Sequence, residues 1–424
     1  MAALFTLSVT LSLLLGDGLN DSPDFVSSQS PIKRTSTATD LFKGKRQGHR
    51  SSALTLTASE LLKKTSHTII NNIGNTPLIH LKKLSAHYGV EIYGKAEYLN
   101  PGGSVKDRAA LNLIKSANLE SGQVVTEGTG GNTGVGLSMV ASALGFRCYL
   151  CMPDNVSVEK QLTMKSYGAE IELCSTKFGK EDDGHYTSRA EKVARERGGV
   201  YVNQFLNEEN FKAHYEGTGV ELLEQFEEIE VELGGFACGA GTGGTIAGVG
   251  RRLKEVQEEV GVCLVDFKGS GEAEEGLRSY LTTGKFKSED EGSTSAEGVG
   301  ISRLTKNFEK GRESVDGVVK VTDEEAVATA LWLAQNEGVW IGPSAGGNVI
   351  GAVKYALYLK ARGRESNVCT ILCDGGASYM SKVYNKEWRD ENGLEGVEAK
   401  LPKVCGRFEK KADEKIFKGH VGGG

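Results

Sequence analysis

Three times in this 424-residue chain an apolar run ends in glycines and gives way to a helix-like pattern. The runs are Glu127-Gly128-Thr129-Gly130-Gly131-Asn132-Thr133-Gly134, Gly241-Thr242-Gly243-Gly244-Thr245 and Gly342-Pro343-Ser344-Ala345-Gly346-Gly347. A glycine turn between a strand and a helix lets the unpaired N–H groups of the first helical turn approach a ligand closely. Around these runs strands and helices alternate. Strands are predicted near Val124 and over 147–152 and 170–173, with helices over 132–144, 157–167 and 182–197. A second set has strands near Gly235, Cys263, Trp340 and Cys369, and helices over 244–256, 322–336 and 344–362. Thr322-Asp323-Glu324-Glu325 has capping-box spacing and opens the second of those helices. This rhythm implies parallel strands joined by crossover helices, and so two parallel-sheet α/β domains, over 59–206 and 207–392. Ligands in such folds sit beyond the C-terminal ends of the strands, which places a site in the cleft between the domains.

Composition narrows the function. Glycine is abundant, at 56 residues, while proline is scarce at 7, so the surplus belongs to turns and ligand loops rather than to linkers. A formal charge of −6 gives no reason to expect a nucleic-acid partner. Eight cysteines without small-domain spacing read as reduced thiols. Cys148 and Cys151 lie three apart in a predicted strand and point to opposite faces, so they cannot share a metal, and Cys369 and Cys373 bracket another apolar strand. The seven histidines have no ligand spacing, and no metal is predicted.

The ends of the chain differ from its middle. Residues 1–15 are apolar but too short for a bilayer span, and 25–59 are rich in Ser and Thr, with six basic residues, Lys33 to Arg50, against Asp40 alone. The segment 1–58 therefore reads as a leader with an organellar address, plastid or mitochondrial, with a short anchor or a plain disordered extension as rivals. A helix-like stretch over 59–65 begins the folded part. The segment 284–295 reads as a polar surface loop, and 393–424 as a charged, disordered tail.

One lysine stands apart. In Asn100-Pro101-Gly102-Gly103-Ser104-Val105-Lys106-Asp107-Arg108 the glycines break a strand-like run over 91–99, and Ser104 is a good N-cap for a helix over 105–117. Lys106 then sits in the first turn, where the helix dipole disfavours its charge and suits an amine that attacks a carbonyl. An ordinary exposed helix lysine is the alternative from this stretch alone. For Gly241 to Thr245 the strand-loop-helix context points to a phosphate loop, with a plain turn as alternative. The third glycine of a dinucleotide fingerprint is missing at Ile246, which disfavours NAD.

Taken together, Lys106, the three glycine runs, Asn75-Thr76-Pro77-Leu78-Ile79, Asn203-Gln204-Phe205, Glu297-Gly298-Val299-Gly300 and Cys373-Asp374-Gly375 resemble the fold-type II pyridoxal-phosphate enzymes. Among these the chain is most similar to the cysteine synthase and cystathionine β-synthase group, in its fungal-type branch, from about Ile73 to Trp388. The resemblance implies the tryptophan synthase β-like fold and pyridoxal 5'-phosphate as cofactor, without haem or a regulatory domain. It implies that Lys106 holds the cofactor and moves the α-proton, that Gly241, Thr242, Gly243, Gly244 and Thr245 bind its phosphate, and that Asn132 and Ser344 face its ring. Thr129, Gly130, Gly131, Asn132, Thr133 and Gln204, with Gly298 nearby, would receive the substrate; Asp374 would lie near the pyridine side or cap a helix. A neutral hydroxyl at Ser344 favours β-elimination over transamination. The implied reaction is β-replacement, with O-acetylserine and sulfide giving cysteine and acetate, in a homodimer with serine acetyltransferase as a partner. Serine or threonine dehydration, a cystathionine β-synthase-like reaction and an inert partner-binding homologue are the alternatives. The chain departs from the family at Gly130, where a serine or alanine is usual, and the missing side chain is expected to leave extra room in the pocket.

Overall fold

The computed structural model describes residues 68–120, 122–179, 182–268, 276–286, 294–300, 304–404 and 407–412. The leader, the 59–65 stretch and most of 284–295 lie outside them. Two sheets form the framework. The smaller has the order β5-β4-β3-β6, made of β3 (Val124–Gly128), β4 (Arg147–Pro153), β5 (Glu170–Cys174) and β6 (Val200–Tyr201), all parallel. The larger has the order β1-β2-β10-β7-β8-β9-β11, from β1 (Leu78–His80), β2 (Glu91–Lys95), β7 (Gly235–Gly239), β8 (Gly261–Lys268), β9 (Gly317–Thr322), β10 (Asn367–Ile371) and β11 (Glu409–Lys410). Its five central strands are parallel; only the edge strands β1 and β11 run against their neighbours.

The strands alternate as parallel strands buried on both faces should. Phe236 and Cys238 of β7 face one apolar cluster with Val262, Leu264 and Ile246, while Ala237 faces another with Val265, Val349 and Ile350. In the smaller sheet Cys148 and Cys151 fall into clusters on opposite faces of β4, and both are free thiols. The most enclosed helix is Pro343–Lys360, which is buried along most of its length.

The helices over 132–144 and 244–256 have the bounds that the apolar pattern predicts. Three expectations are corrected. No strand forms at Trp340; the residues there make a single bridge between Ile341 and Gly375, and the strand is Gly317–Thr322 instead. Alternating Val318, Val319 and Val321 carry it, directly before the capping box at Thr322, whose hydroxyl accepts from Glu325 N. Second, β1 and β2, early in the chain, pair into the larger sheet, through β2 beside β10. Third, the described residues between 394 and 412 are built into the fold, the rest of the tail lying outside the described residues: Leu394 and Leu401 are buried, Phe408 packs on Tyr355 and Tyr358, and β11 pairs with β9. Leu394, Leu401 and Phe408 lie seven apart, a helix-like spacing, but Gly396 and Pro402 fall between them and the charges around them dominate the pattern.

Candidate active site

Lys106 is the first residue of the helix Lys106–Ser116. The cap is Val105 rather than Ser104, whose hydroxyl instead accepts from Lys106 N at 3.2 Å. This turn is stitched to a distant segment: Val105 N donates to Cys373 O at 2.8 Å, and Ser104 bridges Asp374. The same segment holds the start of the Pro343–Lys360 helix, through Gly342 N to Asp374 O at 3.0 Å. Cys373 and Asp374 thus place Lys106 and Ser344 on one cavity.

That cavity, of about 450 Å³, is lined by Lys106, Thr129, Gly130, Gly131, Asn132, Thr133, Gln204, Gly241, Thr242, Gly243, Thr245, Gly298 and Ser344. Of the candidate residues read from the sequence, Gly244 and Asp374 do not line it; Gly244 is buried at the start of its helix, against Asn210, and Asp374 stands behind Asn132. Three helices begin at the wall with glycine caps, Gly131, Gly243 and Gly342, and none of these caps has a side-chain hydrogen bond. Their first N–H groups are therefore available to a ligand, and the positive ends of three helix dipoles converge there.

The Gly241 to Thr245 loop is shaped by backbone. A Cβ on Gly241 would lie 2.0 Å from the carbonyl oxygen of Gly298, and Gly243 has φ +80° with Phe308 at 2.5 Å from a Cβ position. Thr242 Oγ1 accepts from Asn210 Nδ2 at 2.9 Å, which leaves its proton for a ligand. Thr245 Oγ1 lies 3.2 Å from Nε2 of the buried His214, and burial holds that imidazole well below its ordinary pKa, so it is neutral. The one carboxylate among the lining residues is Glu297, and it is bound by both Lys160 and Lys382. A cavity with glycine-capped helix starts, two threonine hydroxyls and a neutralised carboxylate fits a phosphorylated cofactor.

Around Thr133 and Gln204 the wall is made of side chains. Thr133 Oγ1 donates to Gln204 Oε1 at 2.6 Å, and Gln204 in turn faces Glu127, through N at 3.3 Å and Nε2 at 3.4 Å. Glu127 is fully buried, and burial raises its pKa to about 8 against the opposing hydrogen bonds of Gln204. Asn132 Nδ2 donates to Asp374 Oδ2 at 2.7 Å, and Tyr379 OH donates to the same oxygen at 2.7 Å. Asp374 orients Asn132 and is not a helix cap. Cys373 also lines the cavity rather than filling the core; burial pushes its thiol up to about 12, against the effect of a Ser344 hydrogen bond.

Gly130 is where the expectation fails. A Cβ there would lie 2.1 Å from Cγ2 of Val156, so the space of the missing side chain is filled. The sequence reading had no role for Val156, Glu127, Lys160 or Lys382. None of them has a local signal: each reaches the site from a turn, a buried strand position or a helix surface.

Comparison with known proteins agrees with this cavity. The pyridoxal-phosphate dependent enzyme family matches residues 69–374. A cysteine synthase of Dictyostelium discoideum is 39% identical over 343 residues, which cover 78% of this chain and 87% of that protein. Cysteine synthase 1 of Neurospora crassa is 39% identical over 332 residues, 77% of this chain and 85% of the other. Among solved structures, an O-ureido-L-serine synthase superposes with a TM-score of 0.65 at 30% identity, over 75% of this chain and 94% of its own. The chain belongs to the pyridoxal-phosphate dependent enzyme family, and its cofactor is pyridoxal phosphate.

Proposed function

We propose that this member of the family is a cysteine synthase that exchanges the β-substituent of a serine derivative, O-acetylserine first among candidates, for sulfide. One observation carries the reading: Lys106, at a helix start, shares a cavity with two further helix starts, each capped by a glycine without a side-chain hydrogen bond. One suits a phosphate and the other an amino-acid carboxylate.

Bound there, pyridoxal phosphate supplies the electron sink that lets an amino acid lose its α-proton and then its β-substituent. The chain's own residues do the rest. Backbone N–H groups of Gly241 to Thr245 and the hydroxyls of Thr242 and Thr245 hold the phosphate. Lys106 Nζ would hold the cofactor, and would take the substrate's α-proton and return it. Thr129, Gly131, Asn132, Thr133 and Gln204 orient the carboxylate, with Asp374 setting Asn132 and Glu127 setting Gln204. Ser344 presents a neutral hydroxyl to the ring nitrogen. The family resemblance also supports a homodimer, a serine acetyltransferase partner, and an organellar address in the basic Ser/Thr-rich residues 25–59.

Lys106→Ala is expected to abolish the visible absorbance of the covalently bound cofactor and to cut turnover with O-acetylserine and sulfide by at least ~10⁴-fold, the upper range for loss of an acid–base group. An unchanged spectrum overturns the assignment. Giving the wild-type protein O-acetylserine, O-phosphoserine and serine in turn, with sulfide, identifies the donor by the rate of cysteine release.

A further inference from the structure

The strongest unexplained contact in the cavity joins two loops. Gly130 lies in the loop between β3 and the helix Asn132–Leu144, and Val156 in the loop between β4 and the helix Val158–Ser166. Both line the cavity. The position that a Cβ on Gly130 would take lies 2.1 Å from Val156 Cγ2, 3.3 Å from its Cβ and 3.4 Å from Cγ1. A valine is stiff at χ1 and cannot swing a methyl away as a longer side chain would. Nor is its backbone free to retreat: Val156 N donates to Pro153 O at 3.3 Å, and Val156 O accepts from Gln161 Nε2 at 2.9 Å. The side chain is partly buried against the cluster that contains Leu150, Met152 and Met164.

We propose that Val156 is a specificity-determining residue, and that it forms one steric unit with Gly130 at the substrate end of the cavity. The side chain that the carboxylate loop lacks is replaced by a methyl from the neighbouring loop. The volume next to the loop is therefore set by Val156, and it can be opened without touching any group that binds the cofactor or moves a proton. The proposal deepens the reading above, since it takes the loop from Thr129 to Thr133 as the amino-acid site.

Four proteins test it: wild type, Gly130→Ala, Val156→Ala and the double variant. Binding of L-serine and of its β-methyl homologue L-threonine is read by the change in cofactor absorbance, and Tm is measured on the same samples. Val156→Ala is expected to improve threonine binding relative to serine by at least about tenfold, the low end of what one methylene is worth in a pocket. Gly130→Ala alone is expected to weaken serine binding by at least about tenfold and to lower Tm. In the double variant serine binding should return to within about threefold of wild type, and the gain for threonine should vanish. A serine-to-threonine ratio that Val156→Ala leaves unchanged overturns the proposal, and so does a double variant no better than Gly130→Ala. If serine leaves the wild-type absorbance unchanged, the amino-acid reading of the site has failed instead. The steric unit is then decided by Tm, which must recover by at least half in the double variant, and no recovery overturns it.

Discussion

The two glycine loops that line the cavity, Thr129 to Thr133 and Gly241 to Thr245, are alike in sequence and differ in what surrounds them. At Gly241 the neighbour of a hypothetical Cβ is a carbonyl oxygen, that of Gly298 at 2.0 Å, and at Gly243 the backbone itself has φ +80°. At Gly130 the neighbour is a valine side chain, and at Gly131 nothing lies within 4 Å. The cofactor end is thus bounded by main chain, which no side-chain substitution elsewhere can relieve. The substrate end is bounded by side chains that can be exchanged. On the proposed assignment, a fixed phosphate cradle beside an adjustable carboxylate loop lets one fold keep its cofactor while its substrates change.

The largest expected effect falls on the backbone-bounded loop. Gly241→Ala should weaken cofactor binding by at least ~100-fold, about 2.7 kcal/mol, as measured by equilibrium dialysis of the purified protein. No second substitution at a side chain should restore it. Retention of wild-type affinity would erase the contrast between the loops.

The next effect concerns two of the buried carboxylates near the site, Asp107 and Glu127. Asp107 follows Lys106, accepts from Gly102 N at 2.5 Å, and burial raises its pKa to about 7. Glu127 stands behind Gln204 with its pKa near 8. A raised carboxyl keeps its proton in the native state after the unfolded chain has lost it, so stability falls as pH rises from the ordinary value to the raised one. For Asp107 that window runs from 3.8 to about 7, and for Glu127 from 4.5 to about 8. Asp107→Asn should remove its share of the slope, so that its stability relative to wild type rises by ~1.4 kcal/mol between pH 5 and pH 6 in urea titrations. Glu127→Gln should do the same and extend the effect about one pH unit higher. Parallel wild-type and variant curves would show that the native carboxyl titrates normally.

The smallest effect sharpens the comparison from the open side. Gly131→Ala meets no atom within 4 Å, at φ −106° and ψ −160°, a backbone that alanine adopts freely. Tm should stay within about 1 °C and cofactor affinity within about threefold, as for a substitution away from packed features. A loss as large as that at Gly241 would mean that both loops are fixed by main chain.

Much of the site was legible because it is made of local devices. Lys106, Gly241 to Thr245, Asn132 and Ser344 each announce themselves by a glycine turn and a helix start in a few consecutive residues. What the pattern could not show depends on residues far apart in the chain. The strand Gly317–Thr322 was hidden by the capping box that follows it, while Trp340 looks apolar enough for a strand but carries only one bridge. The packed residues of the charged stretch were hidden among charges, since Pro402 and Phe408 find their partners in Tyr88, Tyr355 and Tyr358.

The sequence alone determined the α/β class and the glycine turns and helix starts that gather at the cavity, because these are short-range properties of the chain. Tertiary structure decided how wide the pocket is. Gly130 reads as an empty place until Val156, 26 residues later, is folded against it, and Asp374 reads as a cap until it is found holding Asn132 across 242 positions. Volume and hydrogen-bond partnership are properties of atoms in space, and close packing lets a distant side chain cancel what a local motif implies.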